Sequence, residues 1–104
     1  MSRAYRLSSG AESDIRQILE YTLDRWGAKQ AAKYAASLET ALGKLAAGEI
    51  EGREFSGNLP GVRVYRCEHH YIFFQPLAPS LVVLAILHEQ MDLTSRLSDR
   101  PGYP

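Results

Sequence analysis

Apolar residues at Ile15, Ile18, Leu19, Thr22, Leu23 and Trp26 recur at helical spacing and draw one stripe on a first helix. Ser9 precedes this run with Glu12 three residues on, the spacing of a capping box. Gly27 then predicts a helix end. A second stripe, Ala31, Tyr34, Ala35, Leu38, Leu42 and Leu45, predicts a helix from Ala28 to about Ala47, with Gly48 as its stop. So short a link makes the two helices an antiparallel hairpin.

The pattern then changes. Residues 48–61 carry four glycines and Pro60 with few apolar anchors, and predict a loop. Residues 62–67 and 70–75 predict two strands joined by a tight turn at Glu68-His69. Residues 81–87 are apolar at every position, which predicts a central strand covered on both faces, running through His88. Residues 3–7 suit a short first strand, and Asp92 caps a last short helix through Leu97. The fold class is therefore α+β, in the order β-α-α-β-β-β. An N-terminal helical hairpin packs on one face of a small, mainly antiparallel sheet. Residues 1–97 form the single domain, and 98–104, with Pro101, Gly102 and Pro104, form a loose tail. One helical hairpin covers one face, so Tyr5, Tyr65, Tyr71 and Phe73 are expected to leave an apolar surface on the other, the kind of surface a partner covers. The alternative is that the C-terminal segment folds over it.

Composition narrows the chemistry. The 104 residues hold 12 Lys+Arg and 12 Asp+Glu, a formal net charge of zero. A chain that grips nucleic-acid phosphates usually shows a basic excess, so direct, specific nucleic-acid binding is not expected. One cysteine, Cys67, excludes an internal disulfide. Neither HxxxH nor CxxC occurs, and no metal or cofactor is expected. No apolar run reaches the length of a membrane span and no signal-peptide pattern opens the chain, which points to the cytoplasm. Cys67 has no third residue to complete a nucleophilic triad and fits packing better.

The ordered set of pieces resembles the ParE branch of the RelE/ParE toxins. The resemblance is carried by Ala11 to Asp14, Ile18, Tyr21-Thr22, Trp26-Gly27, Gln30-Ala31 and Tyr34 in the hairpin. Gly52-Arg53, Gly61-Val62-Arg63, His70, Ile72 and Phe73 continue it, and Ile86-Leu87-His88, Met91-Asp92 and Leu97 close it. The chain departs from the family at Glu68, where the turn often has glycine, and at Phe74-Gln75, where Tyr-Arg is usual. The resemblance implies the toxin of a type II toxin–antitoxin system. Such a toxin inhibits DNA gyrase, has no catalytic residues, and is neutralised in a hetero-oligomer by a ParD-like ribbon-helix-helix antitoxin. Tyr5, Tyr65, Tyr71, Phe73 and Arg63 are the expected antitoxin contacts. His88, Met91, Asp92 and Arg96, with Trp26 at the hairpin tip, are the expected gyrase contacts, although the stripe position of Trp26 says core. Arg63 also suits a purely structural pairing with Glu54, Glu68 or a partner carboxylate. The shared fold leaves a ribosome-dependent messenger-RNA endoribonuclease as the alternative, built on Arg63, His70, His88, Arg96 and Tyr103. A non-toxic relic that still binds antitoxin is a further one.

Overall fold

The computed structural model describes residues 5–55, 60–77 and 80–89. Among them the elements run β1 (Tyr5–Leu7), α1 (Ser9–Trp26), α2 (Ala28–Ala47), β2 (Arg53–Glu54), β3 (Arg63–Cys67), β4 (His70–Gln75) and β5 (Leu81–His88). The sheet order is β1-β5-β4-β3-β2. β1 lies parallel to β5, and the other neighbours are antiparallel. The expected two-helix, mainly antiparallel α+β architecture is the observed one. The 48–61 loop departs from expectation by containing β2, whose two residues pair with Val64 and Arg63. Both β2 residues are exposed, so no burial pattern marked them. The expected helix from Asp92 to Leu97 and the tail 98–104 lie outside the described residues.

β5 organises the molecule. Its apolar run feeds both faces because the ladder with β4 is irregular at Phe73/Phe74: Phe73 faces Ala85 while Phe74 faces Val83. The residue between, Leu84, is the extra one of a bulge. Leu81, Val83 and Ile86 pack toward the helices, with Tyr34, Leu38, Leu42, Leu45, Ile72 and Phe74. Leu84, Ala85 and Leu87 pack on the opposite face, with Val62, Val64 and Phe73.

The bare aromatic face expected from the alternation is corrected here. Tyr5 and Tyr65 pack against the helix-side cluster, while Tyr71 and Phe73 belong to the other face. That other face is not open, since Phe73 and Ala85 are each 0% exposed. Phe55, just past β2, meets Phe73 edge-on with centroids 5.2 Å apart. The loop that looked structureless thus carries an aromatic onto the sheet.

α1 is anchored at its beginning. The cap is Ser8, not Ser9: its Oγ accepts from the Ala11 N–H at 3.1 Å. With the cap at Ser8 the third helical residue is Ala11, so the expected box with Glu12 has no place, and the Glu12 N–H makes the first helical bond, to the Ser8 carbonyl. The same hydroxyl donates to the Leu84 carbonyl at 3.0 Å, and the Ser8 N–H donates to the Val83 carbonyl. β1 ends at Leu7, so Ser8 takes over beside the bulge, where a carbonyl would otherwise lose its ladder partner. One turn on, the Asp14 carboxylate accepts from the Ile86 N–H at 2.9 Å. Burial along α1 follows this anchoring. Ala11 is fully buried and Ile15, Ile18 and Leu19 half-buried, whereas Leu23 and Trp26 are exposed. The core assignment of Trp26 from its stripe position is therefore corrected, at 67% exposure. Gly27 alone joins the helices, its φ of 95° lying where side-chain-bearing residues are disfavoured.

Two outcomes follow for stability. Ser8→Ala removes a helix cap and orphans a strand carbonyl, and is expected to cost about 1–3 kcal/mol in urea melts. Glu68, the first residue of the β3–β4 turn, has φ 58°. Glycine suits that position in a two-residue hairpin turn. Glu68→Gly is expected to raise stability by about 0.5–1 kcal/mol in the same melts, left-handed strain offset by glycine's chain entropy.

Candidate functional site

The diverging C-terminal half of α1 opens a groove of about 720 Å³ between the helical hairpin and the far ends of β4 and β5. Ile18, Tyr21, Thr22 and Trp26 of α1 line one wall, with Asp14 and Gln17 toward the helix start. Gln30 and Tyr34 of α2 close one end; the Glu68-His69 turn, His70 and Ile86 to His88 complete the lining. Tyr21 is 59% exposed, with the Arg25 guanidinium 5.9 Å from its ring centroid. An exposed Tyr–Trp pair on a concave wall is the profile of a protein-binding surface.

A hydrogen-bonded cluster forms the floor. His70 and His88 are directly paired across β4 and β5, their rings edge-on with centroids 5.3 Å apart. The Tyr34 hydroxyl lies 2.5 Å from His70 Nδ1 and 3.5 Å from the Cys67 carbonyl. Burial first, and then the neighbouring His88 and His69, hold His70 below the usual histidine range. The neutral ring, protonated on Nε2, accepts a hydrogen bond from the Tyr34 hydroxyl at Nδ1. Burial, reinforced by Cys67 and Glu68, pushes the Tyr34 hydroxyl well up, so it stays protonated and able to donate. Cys67 is buried, and burial with Glu68 raises its thiol too, the opposite of an activated nucleophile. His69 points away from this floor, to Glu89 at 3.2 Å, where Arg66 also pairs at 2.9 Å.

Of the ribonuclease set, the described residues His70, His88 and Arg63 do not all come together. His70 and His88 meet, but Arg63 pairs with Phe74 at the opposite end of the hairpin, roughly 13 Å of strand away. Its guanidinium is spent on the carbonyls of Glu51 and Gly52, at 2.9 and 3.0 Å, in place of the expected carboxylates. Among the described residues, the charged side chains that line the groove, histidines aside, are Asp14 and Glu68, both acidic, which repel a phosphodiester. Arg96, Tyr103, Met91 and Asp92 lie outside the described residues. Among the described residues no group of three His, Cys, Asp or Glu side chains could hold a metal ion, and no helix is long and apolar enough to cross a membrane.

Sequence reading passed over Ser8, Asp14 and Tyr34. Tyr34 sat in a core stripe, and only the fold brings it to a histidine 36 positions away.

The fold is that of the RelE/ParE toxins. It matches a chain of the chromosomal ParDE toxin–antitoxin system of P. aeruginosa with a TM-score of 0.71 at 20% identity, covering 84% of this chain and 96% of that one. It matches a chain of the RelBE2 toxin–antitoxin complex of Mycobacterium tuberculosis with a TM-score of 0.62 at 18% identity, covering 86% and 100%. The family model described as the ParE toxin of the type II toxin-antitoxin system parDE matches residues 5–93. The chain is 52% identical over 99 residues to Toxin ParE of Escherichia coli, covering 93% of this chain and 95% of that protein. It is 33% identical over 98 residues to Toxin ParE1 of Mycobacterium tuberculosis, covering 93% and 100%. The chain belongs to the ParE toxin family.

The floor generates a pH dependence. An unfolded histidine titrates near 6.5. The folded value of His70 is lower, so on acidification the unfolded chain takes up the proton first. The contribution of neutral His70 is complete above about pH 6.5 and is lost as pH falls through that value toward the folded one. Urea melts at pH 8 and pH 5 are expected to show this loss. Tyr34→Phe, which removes the donor to neutral His70, is expected to lower stability at pH 8 by about 1–2 kcal/mol and to flatten the acid-side slope.

Proposed function

We propose that this chain acts in the cytoplasm as the toxin of a type II pair, inhibiting DNA gyrase and held inactive in a hetero-oligomer with a ParD-like ribbon-helix-helix antitoxin. The observation that carries the reading is the groove beside α1 in a chain of the ParE family: apolar and aromatic at its wall and, among the described lining residues other than histidine, acidic where charged. Such a surface recognises protein. The activity needs no catalytic residue, only a surface that binds gyrase.

The groove and the hairpin tip serve both partners in this reading. Trp26 and His88 contribute gyrase contacts, with Met91, Asp92 and Arg96 assigned to the same surface from their position in the chain. A segment of the antitoxin laid along Ile18, Tyr21 and Trp26 neutralises the toxin by covering what gyrase reads. Tyr71, Phe73, Tyr5 and Tyr65 then act as the sheet that holds the groove's shape, and Arg63 holds the loop before β2. The assignment of antitoxin contacts thus moves from the sheet face to the helical hairpin.

The toxin incubated with gyrase, ATP and supercoiled plasmid is expected to yield linear, cleaved DNA. Undiminished supercoiling at excess toxin rejects the reading, and codon-phased cuts in messenger RNA on induction establish the ribonuclease instead. Trp26→Ala should change folding stability by no more than about 0.5 kcal/mol, as suits an exposed side chain. It should weaken both gyrase inhibition and antitoxin binding by about tenfold or more.

A further inference from the structure

Of the chain's three histidines, two meet on the floor of the groove. His70 and His88 are paired residues of β4 and β5, each half-buried, with ring centroids 5.3 Å apart. At that separation two imidazolium charges repel, so the pair takes its first proton more readily than its second. His69 stands outside the pair, its side chain 75% exposed and its Nδ1 3.2 Å from Glu89.

The neighbouring hydrogen bonds suit both charge states of His70. With the ring neutral, the Tyr34 hydroxyl donates to Nδ1. With the ring charged, Nδ1 carries a proton and donates, and the Tyr34 oxygen accepts. The Tyr34 hydroxyl then turns to the Cys67 carbonyl, 3.5 Å away. One hydrogen bond reverses, and no new partner is recruited.

The groups around the pair act with different signs. The Tyr34 phenol and the Cys67 thiol, both pushed up by burial, bring no charge at acid pH. His69 adds to the repulsion that His88 exerts on His70, while Glu68 and Glu89 favour the charged ring. Glu89 is itself paired with Arg66. Asp14 of α1 is a third carboxylate, engaged by the Ile86 N–H. Burial outweighs these carboxylates and keeps His70 below the usual histidine range. A segment seated over Ile18, Tyr21 and Trp26 withdraws more water from the floor and so strengthens the dominant cause.

We propose that the His70–His88 pair links occupancy of the groove to pH: an apolar segment seats over the neutral pair, and protonation of the pair weakens its hold. The inference rests on the protein-binding reading of the groove and adds the regulation of that site. Covering the pair lowers its affinity for protons, so by reciprocity protons lower its affinity for the cover. Binding is complete above about pH 6.5, where the pair is neutral, and is lost progressively as pH falls below that value.

Nile red, an uncharged apolar dye, tests this on the full chain by fluorescence titration at pH 8 and pH 5.5, with circular dichroism giving the folded fraction at each. Its affinity for the folded chain is expected to be about threefold or more weaker at pH 5.5. His70→Asn with His88→Gln, which puts neutral amides in place of both rings, is expected to abolish that difference. His69→Gln is expected to keep it. Ring NMR of the unaltered chain at pH 6 decides the matter even if the double variant does not fold. Added dye is expected to shift His70 and His88 toward the neutral form and to leave His69 unmoved. The proposal is overturned if the dye does not bind, if it binds equally at both pH values, if the double variant keeps the difference, or if the two ring signals stay in place. The dye is neither antitoxin nor gyrase, so the two readings fail separately. A toxin that converts plasmid to linear DNA but binds dye without regard to pH refutes the proton link alone. One whose dye affinity falls through the histidine pair while gyrase is untouched upholds the link and refutes the function.

Discussion

Everything in this fold depends on how one edge of β5 is completed. β5 is eight residues long and β1, its parallel neighbour, only three. The rest of that edge must find partners or leave polar backbone unpaired, at roughly 1–3 kcal/mol for each buried group. Side chains from the first turns of α1 do this work: Ser8 for the Leu84 carbonyl, and Asp14 for the Ile86 N–H. The helix therefore continues, with side chains, the role that β1 begins with backbone. Its start is fixed there, and its far end stands off the sheet. Burial falls from Ala11 to Trp26, and the gap left behind is the groove.

α2 supplies the contrast. Tyr34, Leu38, Ala41, Leu42, Leu45 and Ala46 are all buried, so this helix is seated along most of its length. The single residue Gly27 links it to α1. A longer link would have given the hairpin tip chain of its own to cover Trp26. The short one leaves that ring in solvent, on the same groove wall as Tyr21.

Much of this was legible in the residues. The two stripes and Gly27 mark both helices, and the apolar run 81–87 marks the doubly covered central strand. What escaped depends on contacts distant in sequence. Ser8 and Ser9 are equivalent as local caps, and only the bulge at Leu84 selects Ser8. Trp26 continues the stripe of α1, but a stripe records which side of a helix is apolar and not how far along it the sheet extends. Arg53 and Glu54 form a strand with both side chains in solvent, so neither periodicity nor hydropathy reports them. Glu68 is the converse case. It stands where the ParE pattern often has glycine, and its positive φ supplies the physical reason for that preference.

The groove's polar floor limits what can bind there. The Tyr34 hydroxyl and His70 Nδ1 already bond each other, and among the described residues no buried side-chain nitrogen or oxygen lacks a partner. A ligand therefore gains little by hydrogen bonding to the floor and much by covering Ile18, Tyr21 and Trp26, at about 25 cal/mol for each Å² of apolar surface removed from water. Among the described residues the charges lining the groove, histidines aside, are the carboxylates of Asp14 and Glu68, while Lys33 and Lys44 of α2 line a depression beside β3, which Glu68 also borders.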